Sequence, residues 1–237
     1  MLRTDNYEEA ISWAQDLGII GIVPQVWIPK SGFQYALKNS DGSVSFTRDG
    51  NPNFGLGIGS DPIIDPKWQR FALPKSLPKE KTLDFKLINR WKPYSIETKT
   101  IINIDSAGLY KGIEISSDGV KDFLDANAPE SSVYPGNPET LFWAGIKIHE
   151  ELVAVGCLGK WESGEFVISS ITTKQELRNN GLGSEITKTI VNLANQRGIK
   201  RVSLAVNAKN EIAARVYEKI GFQNLGDFNT FENLDLL

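Results

Sequence analysis

Arg178-Asn179-Asn180-Gly181-Leu182-Gly183-Ser184 is the stretch on which the reading of this chain turns. An apolar run ending in threonines, Phe166 to Thr173, precedes it. An amphipathic pattern from Gly181 to Gln196 follows, with Leu182, Ile186, Ile190, Leu193 and Ala194 on one stripe. The spacing predicts a strand, a turn and a helix. The first N–H groups of a helix have no intrahelical partner, and the helix dipole favours an anion beside them. Gly181 and Gly183 bring no side chains to that spot, so the backbone of Asn179 to Ser184 is suited to a pyrophosphate, with Arg178 either flanking it or solvated.

Downstream, Gly198 stops the helix, Arg201–Asn207 alternates as a strand, and Glu211–Ile220 predicts a second helix. That helix turns Ile212, Ala213, Val216, Tyr217 and Ile220 inward and ends at Gly221. Upstream, Asp118–Ala126 is a short helix. Leu141–Ile148 and Leu152–Leu158 are strands joined by a tight turn at His149-Glu150-Glu151. Between Arg178 and Lys219 eight Lys/Arg stand against three Glu, a local excess of five positive charges in a chain of net charge −3. That asymmetry suits a phosphorylated ligand, although a solvated helix face accounts for part of it.

The first hundred residues read differently. Tyr7–Leu17 has helical spacing, Ile19–Ile28 reads as strand, and residues 33–59 form a meander punctuated by Asp41-Gly42 and Asp49-Gly50. Gly55-Leu56-Gly57-Ile58-Gly59 resembles a nucleotide loop, but no helix pattern follows, so it reads as a glycine-rich strand or turn. Trp68–Leu73 is a short element, and Pro74–Pro93 reads as a connection or surface segment.

Composition sets outer limits. Hydrophobic content of 41% and charged content of 23% are globular values. The net charge argues against nucleic acid or an anionic membrane as partner, and no apolar run is long enough to span a bilayer. A single cysteine, Cys157, forms no internal disulfide; with His149 as the only histidine there is no metal-ligand set. Cys157 reads as core and His149 as surface. A cytoplasmic location is expected.

The order of elements and two motifs resemble the GNAT superfamily of acyl-CoA-dependent N-acyltransferases. Arg178-x-x-Gly181-x-Gly183 matches its glycine turn, and Asn210-x-x-Ala213-x-x-Val216-Tyr217-x-x-x-Gly221-Phe222 matches its second motif, one helix and one strand later. The resemblance covers about residues 100–237, most firmly 166–222. It implies an α/β fold with a mixed, splayed β-sheet flanked by helices. It also implies acetyl-CoA as cosubstrate, no metal, and direct transfer of the acetyl group to a primary amine. The cofactor arm is implied to pair with Ile171, Thr172 and Thr173, and its pyrophosphate to lie on Arg178, Asn179, Asn180, Gly181, Leu182, Gly183 and Ser184. Asn210 is a good helix N-cap type, and the family match implies that it also reaches the arm.

Tyr217 is the candidate acid for the departing thiolate, against the alternative of a tyrosine that only packs its helix. Some family members place a glutamate base fourteen residues before the first glycine of the turn, where this chain has Val167. Glu165, two residues earlier and on the same strand face, is the substitute candidate; Glu162, Glu139, Glu114 or a water chain are alternatives. The expected division is a GNAT acetyltransferase domain at 106–237, preceded by a smaller α+β domain at 1–105. The smaller domain is either a diverged GNAT-like half or a wall of the acceptor pocket. Residues 127–140 are an expected acceptor-side loop. The rival functions are transfer of a longer acyl group and a non-catalytic acyl-CoA sensor. The protein is expected as a monomer or homodimer.

Overall fold

A computed structural model describes residues 1–100 and 110–236. The expected boundary at 105/106 lies outside the described residues. The N-terminal half runs β1 (Leu2–Thr4), α1 (Tyr7–Gln15), α2 (Ile22–Trp27), β2 (Phe33–Lys38), β3 (Val44–Arg48), β4 (Phe54–Ile58), β5 (Arg70–Pro74) and β6 (Lys86–Glu97). The C-terminal half runs β7 (Ile113–Ile115), α3 (Val120–Asn127), β8 (Thr140–Ile148), β9 (Glu151–Lys160), β10 (Phe166–Thr173), α4 (Leu182–Gln196), β11 (Arg201–Asn207), α5 (Glu211–Ile220), β12 (Gln223–Asn224) and β13 (Phe228–Glu232).

One mixed sheet joins them in the order β1-β2-β3-β4-β5-β13-β6-β11-β10-β9-β8-β7, with β12 attached to β6. From either edge inward the pairings repeat. β1 is antiparallel to β2, a β2–β3–β4 meander follows, and β5 lies parallel to β4. Likewise β7 is antiparallel to β8, β8–β9–β10 is a meander, and β11 lies parallel to β10. At the centre the halves trade strands: β6 pairs with β11, β13 pairs with β5, and the two traded strands pair with each other.

Local chemistry accounts for the helices. Asn6 caps α1 by accepting from the Glu9 N–H at 3.1 Å, and Glu8 and Glu9 stand in its first turn. Asn210 caps α5 by accepting from the Ala213 N–H at 3.1 Å, and Gly221 (φ 109°) ends it in the left-handed region. Three expectations fail. Ile19–Ile28 is a 3₁₀ turn (Gly18–Gly21) followed by α2, not a strand. Pro24 sits in the first turn, where a missing N–H costs nothing, and a short buried run carries no period to separate helix from strand. The stretch read as a connection, Pro74–Pro93, holds the first eight residues of β6, the longest described strand. Ile212, expected inward, is 66% exposed, whereas Ala214 and Tyr217 are buried.

Both faces of the sheet are covered. α4 and α5 pack Ile186, Ile190 and Tyr217 on Leu158, Ile168, Leu204 and Tyr94. On the other face α3 packs Phe123 and Leu124 on Trp143 and Cys157, and α1 and α2 pack Ala10, Ala14 and Val23 on Phe46, Leu56 and Phe228. The crossover from β10 to β11 is α4, but the crossover from β4 to β5 is a loop carrying Trp68. A Cβ at Gly55 would overlap the Trp68 ring, and one at Gly57 would come within 2.7 Å of Leu73 and Pro62. Trp68 is fully buried, with its indole N–H donating to Thr47 Oγ1 at 2.9 Å. Gly55→Ala is therefore expected to destabilise the protein by about 2–3 kcal/mol, read as a lower urea midpoint; an unchanged midpoint would contradict this packing.

Candidate functional site

The site is built where β10 and β11 part. Their parallel pairing is confined to Val167↔Ser203, so beyond that rung they splay. On its other edge β10 pairs with β9 through a bulge: Ser169 opposes Cys157 and Thr172 opposes Val155, so Ser170 and Ile171 together face Gly156. Ser170 takes φ 55° there. A Cβ on Gly156 would come within 2.9 Å of Ile190, so the bulge rests on a position with no side chain. Side chains hold it in place. The Ser170 hydroxyl donates to the Val133 carbonyl at 2.7 Å and accepts from the Val133 N–H at 3.3 Å, and Thr172 Oγ1 donates to the Ser170 carbonyl at 3.2 Å. The loop ahead of β8 is thereby clamped onto the bulge.

After the bulge, Thr172 and Thr173 pair with β9 on one side only. Their other edge faces the splay, a row of backbone groups available to an extended amide chain. Beyond Thr173 the chain turns into α4. Asn179 (φ 66°) and Gly181 (φ 81°) make the left-handed turns, and no side chain caps the helix. Leu182 is buried and anchors the turn to the core. A Cβ on Gly181 would meet nothing within 4 Å, and one on Gly183 only Thr173 Oγ1 at 3.9 Å. The first-turn N–H groups, with Ser184 among them, are therefore not covered by side chains at Gly181 or Gly183. Arg178 is exposed and its guanidinium donates to the Asn127 carbonyl at 3.0 Å, tying the turn to the end of α3. Asn180 donates to the Leu177 carbonyl at 3.2 Å.

Tyr217 is 8% exposed, with its ring 6.0 Å from Tyr94 and 5.9 Å from Phe222. Burial pushes its hydroxyl up to about 12. The proton is thus held at every working pH. Tyr94 supports the ring from β6, donating to Glu218 Oε1 at 2.9 Å, and its own hydroxyl pKa is raised by burial and then by that carboxylate.

Glu165 is separated from this set. It precedes β10 at the closed end of the splay, in an ion pair with Arg201 at 3.0 Å, and Arg201 also donates to Gln25 Oε1 on α2 at 3.0 Å. It is held by that pair and lies on the far side of Val167 from the bulge. Glu114 is likewise taken up, by Arg197. His149 is exposed in its hairpin turn, and Cys157 is fully buried with its thiol pushed up to about 12 by desolvation. Among the described residues no group of His, Cys, Asp and Glu could hold a metal, and no helix is long and apolar enough to cross a membrane. The bulge and its Ser170 clamp were invisible in the sequence; the only trace was a Ser-Ser pair inside an apolar strand.

Comparison with known proteins places these observations. Residues 113–222 match the Acetyltransferase (GNAT) family. A protein of Bacillus subtilis (strain 168) described as uncharacterized N-acetyltransferase YsnE is 31% identical over 88 residues, covering 36% of this chain and 58% of that protein. Among solved structures, a GCN5-related N-acetyltransferase from Sphaerobacter thermophilus aligns with a TM-score of 0.58 at 11% identity, over 97% of this chain and 94% of that one. One from Kribbella flavida aligns at 0.57 and 14%, over 98% and 97%. At such identities these two show likeness of fold.

Proposed function

We propose that this protein is an acetyltransferase that moves an acetyl group from acetyl-CoA to a primary amine by direct transfer, a reading supported by the match of residues 113–222 to the Acetyltransferase (GNAT) family. The observation that carries the reading is the uncapped start of α4, whose glycines leave the N–H groups open at the end of a strand that has parted from its neighbour. Those N–H groups, from Asn179 to Ser184, would hold the pyrophosphate, and the free edge of Ile171, Thr172 and Thr173 would pair with the pantetheine amides. Asn210 combines its capping bond with a place beside the same arm. When bound, acetyl-CoA supplies the activated thioester. A backbone N–H near Thr173 would polarise the thioester oxygen, and Tyr217 would offer its proton to the sulfur as negative charge develops there. With Glu165 engaged elsewhere and Val167 apolar, the amine loses its proton to water.

The division into domains at 1–105 and 106–237 fits the same proposal. The N-terminal part repeats the strand order of its partner but fills the equivalent gap with Trp68 and follows β4 with no helix. One acyl-CoA cleft per chain results.

Calorimetry with coenzyme A, and release of free thiol from acetyl-CoA with a panel of amines, test the proposal. Tyr217→Phe is expected to lower kcat about 10- to 100-fold while leaving the affinity for coenzyme A within about twofold. Tight binding with no thiol released by any amine would replace the enzyme by an acyl-CoA sensor.

A further inference from the structure

The turn that opens α4 is held from both faces of the sheet. α4 packs Leu182, Ile186 and Ile190 on one face, and α3 packs Phe123 and Leu124 on the other, against Trp143, Val155 and Cys157. α3 ends at Asn127, beside the chain that leaves β10. A helix leaves its last carbonyls without intrahelical partners, and its C-terminus favours a cation. α3 has no basic residue in its own last turn. Arg178 supplies the charge instead, donating from Nη2 to the Asn127 carbonyl at 3.0 Å, while its Nε lies 3.5 Å from the Thr173 carbonyl. Those contacts orient the guanidinium with part of its N–H fork and, among the described residues, leave the rest for an anion.

The Asn127 side chain makes a second tie. Half-buried, it donates from Nδ2 to the Phe123 carbonyl at 2.9 Å, one turn back in α3, and accepts at Oδ1 from the Gln175 N–H at 3.2 Å. The first bond fixes the orientation of the amide, so its oxygen is presented to Gln175. Gln175 opens the single 3₁₀ turn Gln175–Leu177, which leads from β10 to Arg178. Its side chain is exposed, and its N–H has no other partner among the described residues. One residue of α3 therefore grips the turn twice, with its carbonyl on Arg178 and its side-chain oxygen on Gln175.

We infer that Asn127 is a positioning residue for the cofactor: it aims Arg178 and fixes the Gln175–Arg178 turn, so that the guanidinium and the α4 N–H groups converge on one diphosphate. The inference rests on the transferase reading, which supplies the ligand. It gives α3 a part in holding coenzyme A that is exerted through Arg178 and Gln175. Filling the site in turn steadies the end of α3, because coupling between two segments is reciprocal.

Gln175→Pro isolates the side-chain tie. Proline suits the first position of a helical turn, and Lys174 before it has ψ 131°, within the range that proline imposes on the residue it follows. The N–H given to Asn127 is what the substitution removes, so the full-length variant is expected to melt no lower than the parent. Its Kd for coenzyme A is expected to rise about three- to tenfold by calorimetry, the worth of one hydrogen bond. Hydrogen exchange gives the reciprocal reading. The Ala128 amide donates to the Leu124 carbonyl at 2.7 Å and closes α3. In the parent it should exchange at least about threefold more slowly once coenzyme A is added, and Gln175→Pro should abolish that gain. Asn127→Ala removes the same tie from the other side. Its Kd should rise at least as far, even where loss of the Phe123 bond lowers its melting temperature. A Kd for Gln175→Pro equal to the parent's, or an Ala128 amide indifferent to coenzyme A, overturns the role and leaves the transferase standing. A parent that binds no coenzyme A removes the transferase reading and this role together.

Discussion

Gly183→Glu is expected to weaken coenzyme A binding about 100- to 1,000-fold while leaving the fold at least as stable. Gly183 stands in the first turn of α4 without a positive φ, and a side chain built there meets only Thr173 Oγ1 at 3.9 Å. A carboxylate near a helix N-terminus is favoured by the dipole, and glycine inside a helix costs about 1 kcal/mol relative to better helix formers. The variant should thus melt no lower than the parent. Yet the new carboxylate would fill the space over the open N–H groups and repel the diphosphate they are suited to hold. Calorimetry with coenzyme A beside a thermal melt separates the two effects. Undiminished affinity would mean that the anion sits elsewhere.

Alkaline pH is expected to remove about 4 kcal/mol of stability by pH 11. Burial raises the Cys157 thiol from 9.0 to about 12 and the Tyr217 hydroxyl from 10.0 to about 12. Tyr7 is raised to about 12 as well, first by burial and then by Glu8 and Glu165. In each case the folded pKa lies above the unfolded one. The native state keeps protons that the unfolded chain gives up, so stability is complete below about pH 9 and falls as pH rises toward 12. Cys157 accounts for about 2–3 kcal/mol of the loss at pH 11 and Tyr217 for about 1. Denaturation curves at pH 8 and pH 11 measure it, and Cys157→Ala should recover the larger share of the difference. If that variant shows the same alkaline loss, the thiol is not the source.

The C-terminal half was legible because its elements are amphipathic and its turns carry their own chemistry. The α4 stripe, Gly198, the Asn210 cap and the hairpin at His149 each signal locally, and the structure places them as expected. The N-terminal half was less so. α2 is short and buried on several sides, leaving no period to read, and β6 hides its alternation behind Lys86, Arg90, Lys92 and Pro93. Glu165 illustrates the limit of face arithmetic. Sharing a strand face with Val167 says nothing of the arginine on β11 that pairs with it. The bulge at Ser170 depends on Val133 and Gly156, distant in sequence, so no local pattern announces it.

The traded strands also govern the order in which the chain can mature on the ribosome. β5 and β6 are synthesised early, but the strand that lies between them, β13, follows β6 by about 130 residues. Until it is released, both early strands present bare edges in the nascent polypeptide, where such edges invite mispairing. Completion of the N-terminal half therefore waits on β13, and synthesis of that strand is what closes it.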